Sequence, residues 1–331
     1  MQSACQCGSC LALHELTDEE FVVLADMVGA EVGEEILKQS QREEAVAKRL
    51  ARELDDTYLD DLLPAIDAEV SQIEGEFDPD RISELTTSIG GRLANPKDLG
   101  MGETAAAAAG AVMLLSRRGT RTKLRAAGRS IRSVPASLTP ADAATAGKLG
   151  RVQTFWIGDY WSRHLSARID ATVRREALQR GLGRQEVGRI LRGLVSGEFP
   201  GASVPGTFAG STSQYFTVVA GTVRPHASSF GAIHAMADAE VERYEFFAVM
   251  DERTSEICRY MHGKTFTVRS ARSLEDRMLR TEDPDEFKRV AGWRSLSDVQ
   301  RIGGGGEDAL AAAGIQLPPL HGLCRSIVLP V

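Results

Sequence analysis

Apolar residues recur at helical spacing through the first two thirds of the chain. Phe21, Leu24, Val28, Val32 and Ile36 fall three or four residues apart, and Leu50, Leu54, Leu59, Leu62, Leu63 and Ile66 form a second stripe. Such spacing lines one face of a helix with apolar side chains. Thr17-Asp-Glu-Glu20 stands just before the first stripe in the form of a capping box, and Pro64 predicts a bend or restart in the second. Asp78-Pro79-Asp80 punctuates the pattern, after which helices are predicted over 82–93 and 102–115. Ser137-Leu-Thr-Pro140 opens another helix, with Thr139 as its cap and Pro140 at its first position. The long helix predicted over 149–179 carries Val152, Phe155, Trp156, Tyr160, Leu165, Ile169 and Val173, a stripe that drifts around the axis. An aromatic stripe of this kind reads as core. Gly181-Leu-Gly183 ends it, and a short basic helix runs on to Leu194.

The pattern changes after a Gly, Pro and Ser-rich stretch over 197–210, which reads as a linker. A helix is predicted over 213–239, broken or restarted at Pro225. Arg243–Met250 reads as a strand from its aromatic and β-branched content, and Lys264–Val268 as a second. Residues 273–300 are mixed, Gly303-Gly-Gly-Gly306 predicts a flexible loop, and 326–331 a third strand pairing with the one before Asp251. The expected class is α+β, a mostly helical N-terminal region followed by a small α+β domain with a short antiparallel sheet. The expected divisions are a Cys-rich leader over 1–13, an acidic helical region over 14–116, a basic helical region over 117–199 and the α+β domain over 211–331.

Hydrophobic residues make up 43% and charged residues 26% of the 331, an ordinary balance for a globular chain. The opening Met-Gln-Ser-Ala-Cys lacks a basic start with an apolar run, and the apolar stretch from Ala105 to Leu115 is too short to span a bilayer, so no membrane association is expected. Five cysteines, an odd number, argue for a reducing compartment and against a disulfide framework. The net charge of −7 is segregated: residues 14–80 hold 21 Asp and Glu against 5 Lys and Arg, and residues 117–198 hold 17 Lys and Arg against 6 Asp and Glu. The core of the basic part is Arg117, Arg118, Arg121, Lys123, Arg125, Arg129 and Arg132, without interleaved aromatics. That set suits double-stranded DNA through phosphates, without sequence preference. It equally suits pairing with the acidic helices or with an acidic partner surface.

Chemistry concentrates near the C-terminus. Cys258 and His262 lie four residues apart in Asp251-Glu-Arg-Thr-Ser-Glu-Ile-Cys258-Arg-Tyr-Met-His262-Gly263-Lys-Thr-Phe266, and His321 and Cys324 lie three apart in Leu317-Pro-Pro319-Leu-His321-Gly-Leu-Cys324-Arg325. On one helical turn the first pair shares a face, and the second has the spacing of a zinc knuckle. Four readings stay open. Cys258, His262, His321 and Cys324 are the ligands of a structural zinc ion. Alternatively the fold needs no metal: Asp251 and Arg253 hold the turn, Thr254 caps the next helix, and Arg325 pairs with Asp251. The third reading is a Cys258–Cys324 disulfide. The fourth is catalysis, a zinc-dependent hydrolase or nuclease using Asp251, Cys258 and His321. No HExxH, GxSxG or GxxxxGK[ST] supports it, so no enzyme is expected. Cys5, Cys7 and Cys10 can bind a metal with His14 as the nearest fourth ligand, or are incidental, and His164, His226 and His234 read as surface or satisfied core residues.

These segments also carry a resemblance. A strand leading into D-x-R-T-x-x-x-C, then G-K-x-F and P-P-x-H-x-x-C-R, is similar to the C-terminal domain of phage Mu F-like head-morphogenesis proteins. It covers Val218 to Val331, with Gly181–Leu191 resembling an upstream helix of such proteins. Ser255 stands where many relatives have a second Cys. The resemblance implies a minor capsid protein in the virion interior near the portal, present in host cytoplasm during assembly. Its implied partners are portal and capsid proteins, with packaged DNA a further contact. Gly263, Pro319 and Arg325 belong to the motif; with Ser255 the Cys-x-x-Cys metal hook of such relatives is missing, so a zinc site here has to recruit His262 instead.

Overall fold

A computed structural model describes residues 28–73, 77–93, 95, 98–205, 207–208, 210–281, 283–321 and 324–331. The helices α1 (Ala30–Ser71), α2 (Pro79–Leu93), α3 (Met101–Ala126), α4 (Pro140–Phe155), α5 (Ser162–Val173), α6 (Arg184–Ser196) and α7 (Thr212–Asp238) precede the first strand. Then follow β1 (Arg243–Phe247), α8 (Glu256–Met261), β2 (Thr265–Thr267), α9 (Val268–Arg280), α10 (Pro284–Val290), α11 (Leu296–Gly303), α12 (Gly306–Ala312) and β3 (Ile327–Pro330). This is the α+β class that the periodicity implies, with a three-stranded antiparallel sheet in the order β2-β1-β3. Tyr244 faces Phe266 on one side and Pro330 on the other, so the last strand pairs with the strand leading to Asp251.

Several elements differ from the sequence reading for physical reasons. α1 runs through Pro64 without a break. Pro64 is exposed, so the carbonyl that loses its backbone donor faces water, while Leu50, Leu54, Tyr58, Leu62 and Ile66 are buried on the other face. α7 likewise continues through Pro225, because packing buries nearly every residue from Val219 to Met236 and overrides the local preference. The drifting stripe has a cause: Trp156–Trp161 and Arg174–Gln179 are π-helical turns on either side of α5. Each widened turn rotates the apolar face relative to the turns before it. Gly303 and Gly306 lie in α11 and α12, so the glycine run joins two short helices instead of forming a free loop. The capping box at Thr17, Phe21, Leu24, the Cys-rich leader and His14 lie outside the described residues.

Among the described residues the main hydrophobic core runs from Ala47 to Val328, and Ile36, Phe247 and Val249 form a smaller cluster. The backbones of α3, α4 and α7 approach closely within the main core. A methyl group at Gly150 would lie 2.2 Å from the Gly102 carbonyl oxygen, and one at Gly231 would lie 2.6 Å from that of Met113. The charge boundary at residue 117 falls inside α3 and therefore marks no structural division. Thr139 caps α4 as expected, with Asp142 completing the box.

Candidate metal centre

β1 delivers the chain to Asp251, whose carboxylate organises the turn. Its Oδ1 accepts from the Arg253 amide at 2.9 Å, and Arg325 Nη2 donates to both carboxylate oxygens at 2.7 and 2.5 Å. The pair is largely shielded, with 16% of the Arg325 side chain and 13% of the Asp251 side chain exposed. Thr254 does not cap α8. Its hydroxyl accepts from the Asp251 amide and reaches Asp251 Oδ1 and the Val249 carbonyl, which tightens the turn instead. The cap is Ser255, one residue on, whose Oγ accepts from the Cys258 amide at 3.2 Å.

That cap aims Cys258 inward from the first turn of α8. The second half of the cluster arrives on a buried segment pinned at two carbonyls. Ser229 Oγ donates to Pro318 and Trp293 Nε1 to Pro319, each at 2.9 Å, across a cis Pro318–Pro319 bond. His321 Nε2 then lies 3.2 Å from Cys258 Sγ and 2.9 Å from Ser255 Oγ. The two sulfurs of Cys258 and Cys324 are 3.6 Å apart, as free thiols. Among the described residues, Cys258, His321 and Cys324 are a group that can hold a metal ion, their ligand atoms all within 4.8 Å of one another.

His262 does not join them. α8 ends at Met261, and His262 at the C-cap takes an extended ψ of 134°, so the helical register that would stack it on Cys258 is lost. Its Nδ1 accepts from the Ala248 amide at 3.2 Å and its ring meets Phe247 edge-on. Gly263, at φ 80°, turns the chain back so that its amide donates to Phe246 and β2 can begin. Asp251 is likewise outside the group, held in the Arg325 pair. The backbone turn between His321 and Cys324 lies outside the described residues.

The electrostatics suit a cation. Hydrogen bonding to Cys324, then burial, pushes the Cys258 thiol up, while the same bond and the nearby His321 hold Cys324 well below the usual thiol range. Two thiols and an imidazole facing one point suit a cation once the thiols give up their protons. Cys258 is 3% exposed and Cys324 is fully buried. The cavity that touches Cys324, lined also by Glu43, Arg224 and Ser326, measures about 20 Å³, enough for roughly one water. Ser255, which stands where the resemblance has a second Cys, places its hydroxyl beside His321; its role as the cap of α8 is what sequence reading gave to Thr254.

The basic segment divides. Arg117 is fully buried between Asp142 and Asp238, and Lys123 is buried against Gln39, with Glu43 close by. Neither reaches a phosphate, which corrects the expectation for these two residues. Arg121 is half-buried and donates to the Val134 carbonyl. Arg118, Arg125, Arg129 and Arg132 are exposed at the C-terminal part of α3 and the loop that follows. Part of the charge segregation is internal pairing, as Arg192 of α6 with Asp67 of α1 at 2.8 Å also shows. Among the described residues, no helix is long and apolar enough to cross a membrane. In comparisons with known proteins, no family model, curated protein or solved structure matches the chain.

Proposed function

We propose that the chain is a minor capsid protein of phage head morphogenesis, portal-associated, whose C-terminal unit is fastened by a zinc ion. One observation carries this reading. The two segments behind the Mu F-like resemblance, far apart in sequence, meet in space twice, at Cys258, His321 and Cys324 and at the Asp251–Arg325 pair. Zinc fits the donor set. With Zn–S of about 2.3 Å and Zn–N of about 2.0 Å, a tetrahedral centre separates two sulfurs by about 3.8 Å and sulfur from nitrogen by about 3.5 Å. The sulfurs here are 3.6 Å apart and Cys258 Sγ is 3.2 Å from His321 Nε2. Ser255 Oγ lies beside the group, 2.9 Å from His321 Nε2. Held this way, the ion would tie α8 to the segment that leads into β3.

The zinc-dependent hydrolase has one feature in its favour, three protein donors in place of four. Burial of both thiols, and a neighbouring cavity of about 20 Å³, favour a closed structural centre over one that admits a substrate. Elemental analysis of purified protein tests the metal: about one zinc per chain is expected. A Cys258→Ser, Cys324→Ser double variant should lose the zinc and several kcal/mol of stability. No zinc in wild type would remove the metal from the reading. Copurification with the portal protein of the same genome, after nuclease treatment, tests the assembly role, and its absence would sink that half.

A further inference from the structure

Outside the metal centre, six charged side chains form an alternating line through the interior. Asp238 of α7 pairs with Arg117 of α3, which reaches Asp142 Oδ1 of α4 at 3.3 Å. His234 of α7 follows, its Nδ1 2.5 Å from Asp142 Oδ1 and its Nε2 2.9 and 3.0 Å from the two oxygens of Glu275 on α9. Arg272 closes the line, 2.6 Å from Glu275 Oε2. His234, Asp142 and Glu275 are 5%, 0% and 2% exposed.

Asp142 accepts from the Thr139 amide and hydroxyl at 2.7 and 2.8 Å as well as from Arg117. Glu275 accepts from Thr145 Oγ1 at 2.8 Å as well as from Arg272. Each carboxylate accepts from further donors, and against two carboxylates both ring nitrogens of His234 are placed to donate. The line then holds three positive and three negative groups. A neutral ring would leave a lone pair facing a buried carboxylate and one negative charge uncompensated. α1 contributes nothing to the line; it meets α7 at Ser228 through Glu43.

We propose that His234 is a proton-operated clamp that fastens α9, and with it the C-terminal α+β unit, to the helical body, and loosens as the pH rises. Burial alone would lower its pKa, but the ring's hydrogen bonds to Asp142 and Glu275 and the charge of Glu275 prevail and raise it. The protonated ring therefore contributes stability fully below the ordinary His value of about 6.5, and the contribution is lost as pH rises through the folded value. Across that window the opening constant of α9 increases up to tenfold per pH unit.

The test uses the full chain. Imidazole nitrogen shifts report the protonation of His234, assigned with His234→Gln, and hydrogen exchange of peptide 268–280, corrected for intrinsic rate, reports opening. Expected are a ring that titrates above the ordinary His range and a pH-dependent loss of protection in 268–280. Glu275→Gln, which keeps the shape and removes one charge, should move the ring titration to lower pH. A ring that titrates at or below about 6.5, protection that is flat with pH, or a titration unmoved in Glu275→Gln would overturn the clamp.

Discussion

Ser255 serves both the helix and the cluster: its hydroxyl caps α8 through the Cys258 amide and lies 2.9 Å from His321 Nε2. A thiol at this place would give three sulfurs and one nitrogen around the same point. Ser255→Cys is expected to tighten zinc at least tenfold in a chelator competition, and to cost about 1 kcal/mol of capping in the metal-free protein. Unchanged affinity would mean that residue 255 does not face the ion. His226 makes a separate prediction. Burial lowers its pKa to about 4, partly offset by the hydrogen bond to the Thr222 carbonyl. A ring kept neutral by folding contributes above about pH 6.5 and loses that contribution as pH falls towards 4, on the order of 3 kcal/mol in all. His226→Phe, which keeps a ring against Phe230 and Phe287, should lack this acid sensitivity when denaturant midpoints at pH 7 and 4.5 are compared. At this scale sequence spacing named three of the clustered donors, because two short motifs carry them. It failed for His262, since a one-residue difference in where α8 ends decides which way that ring points. The partners of His234 were out of reach, being 92 and 41 residues away.

Among the elements, the tight crossing of α3 and α4 depends on the absence of side chains. In an open helix Gly→Ala gains up to about 1 kcal/mol, but a methyl at Gly150 would stand 2.2 Å from one backbone oxygen and 2.9 Å from the Ala106 nitrogen. Backbone cannot yield as a flexible side chain can. Gly150→Ala should therefore destabilise by about 1–3 kcal/mol net in thermal or urea unfolding, and a neutral result would contradict the close approach. Elements with a local signal were legible: Thr139, Pro140 and Asp142 announce α4, and aromatic alternation announces β1. Pro64 and Pro225 misled, because tolerance of proline depends on which face meets water and how tightly the helix is packed. The π turns were visible only as a stripe that would not stay on one side.

For the whole molecule, burial reassigns the charge. With Arg117 and Lys123 inside, the DNA hypothesis rests on Arg118, Arg125, Arg129 and Arg132. Replacing Arg125, Arg129 and Arg132 by Ala should weaken low-salt binding to double-stranded DNA equally across sequences and reduce the salt slope by up to about 2.7. An unchanged slope would assign these arginines to a protein partner or to plain solvent. The sheet order has a consequence for synthesis. β1 lies between β2 and β3, and β3 is Ile327–Pro330, some eighty residues downstream of β1. A nascent chain that has not yet reached Pro330 leaves one side of β1 as a row of unpaired amides and carbonyls, able to capture a strand from a neighbouring chain. Premature stops within this tail should therefore yield insoluble product sooner than inactive monomer.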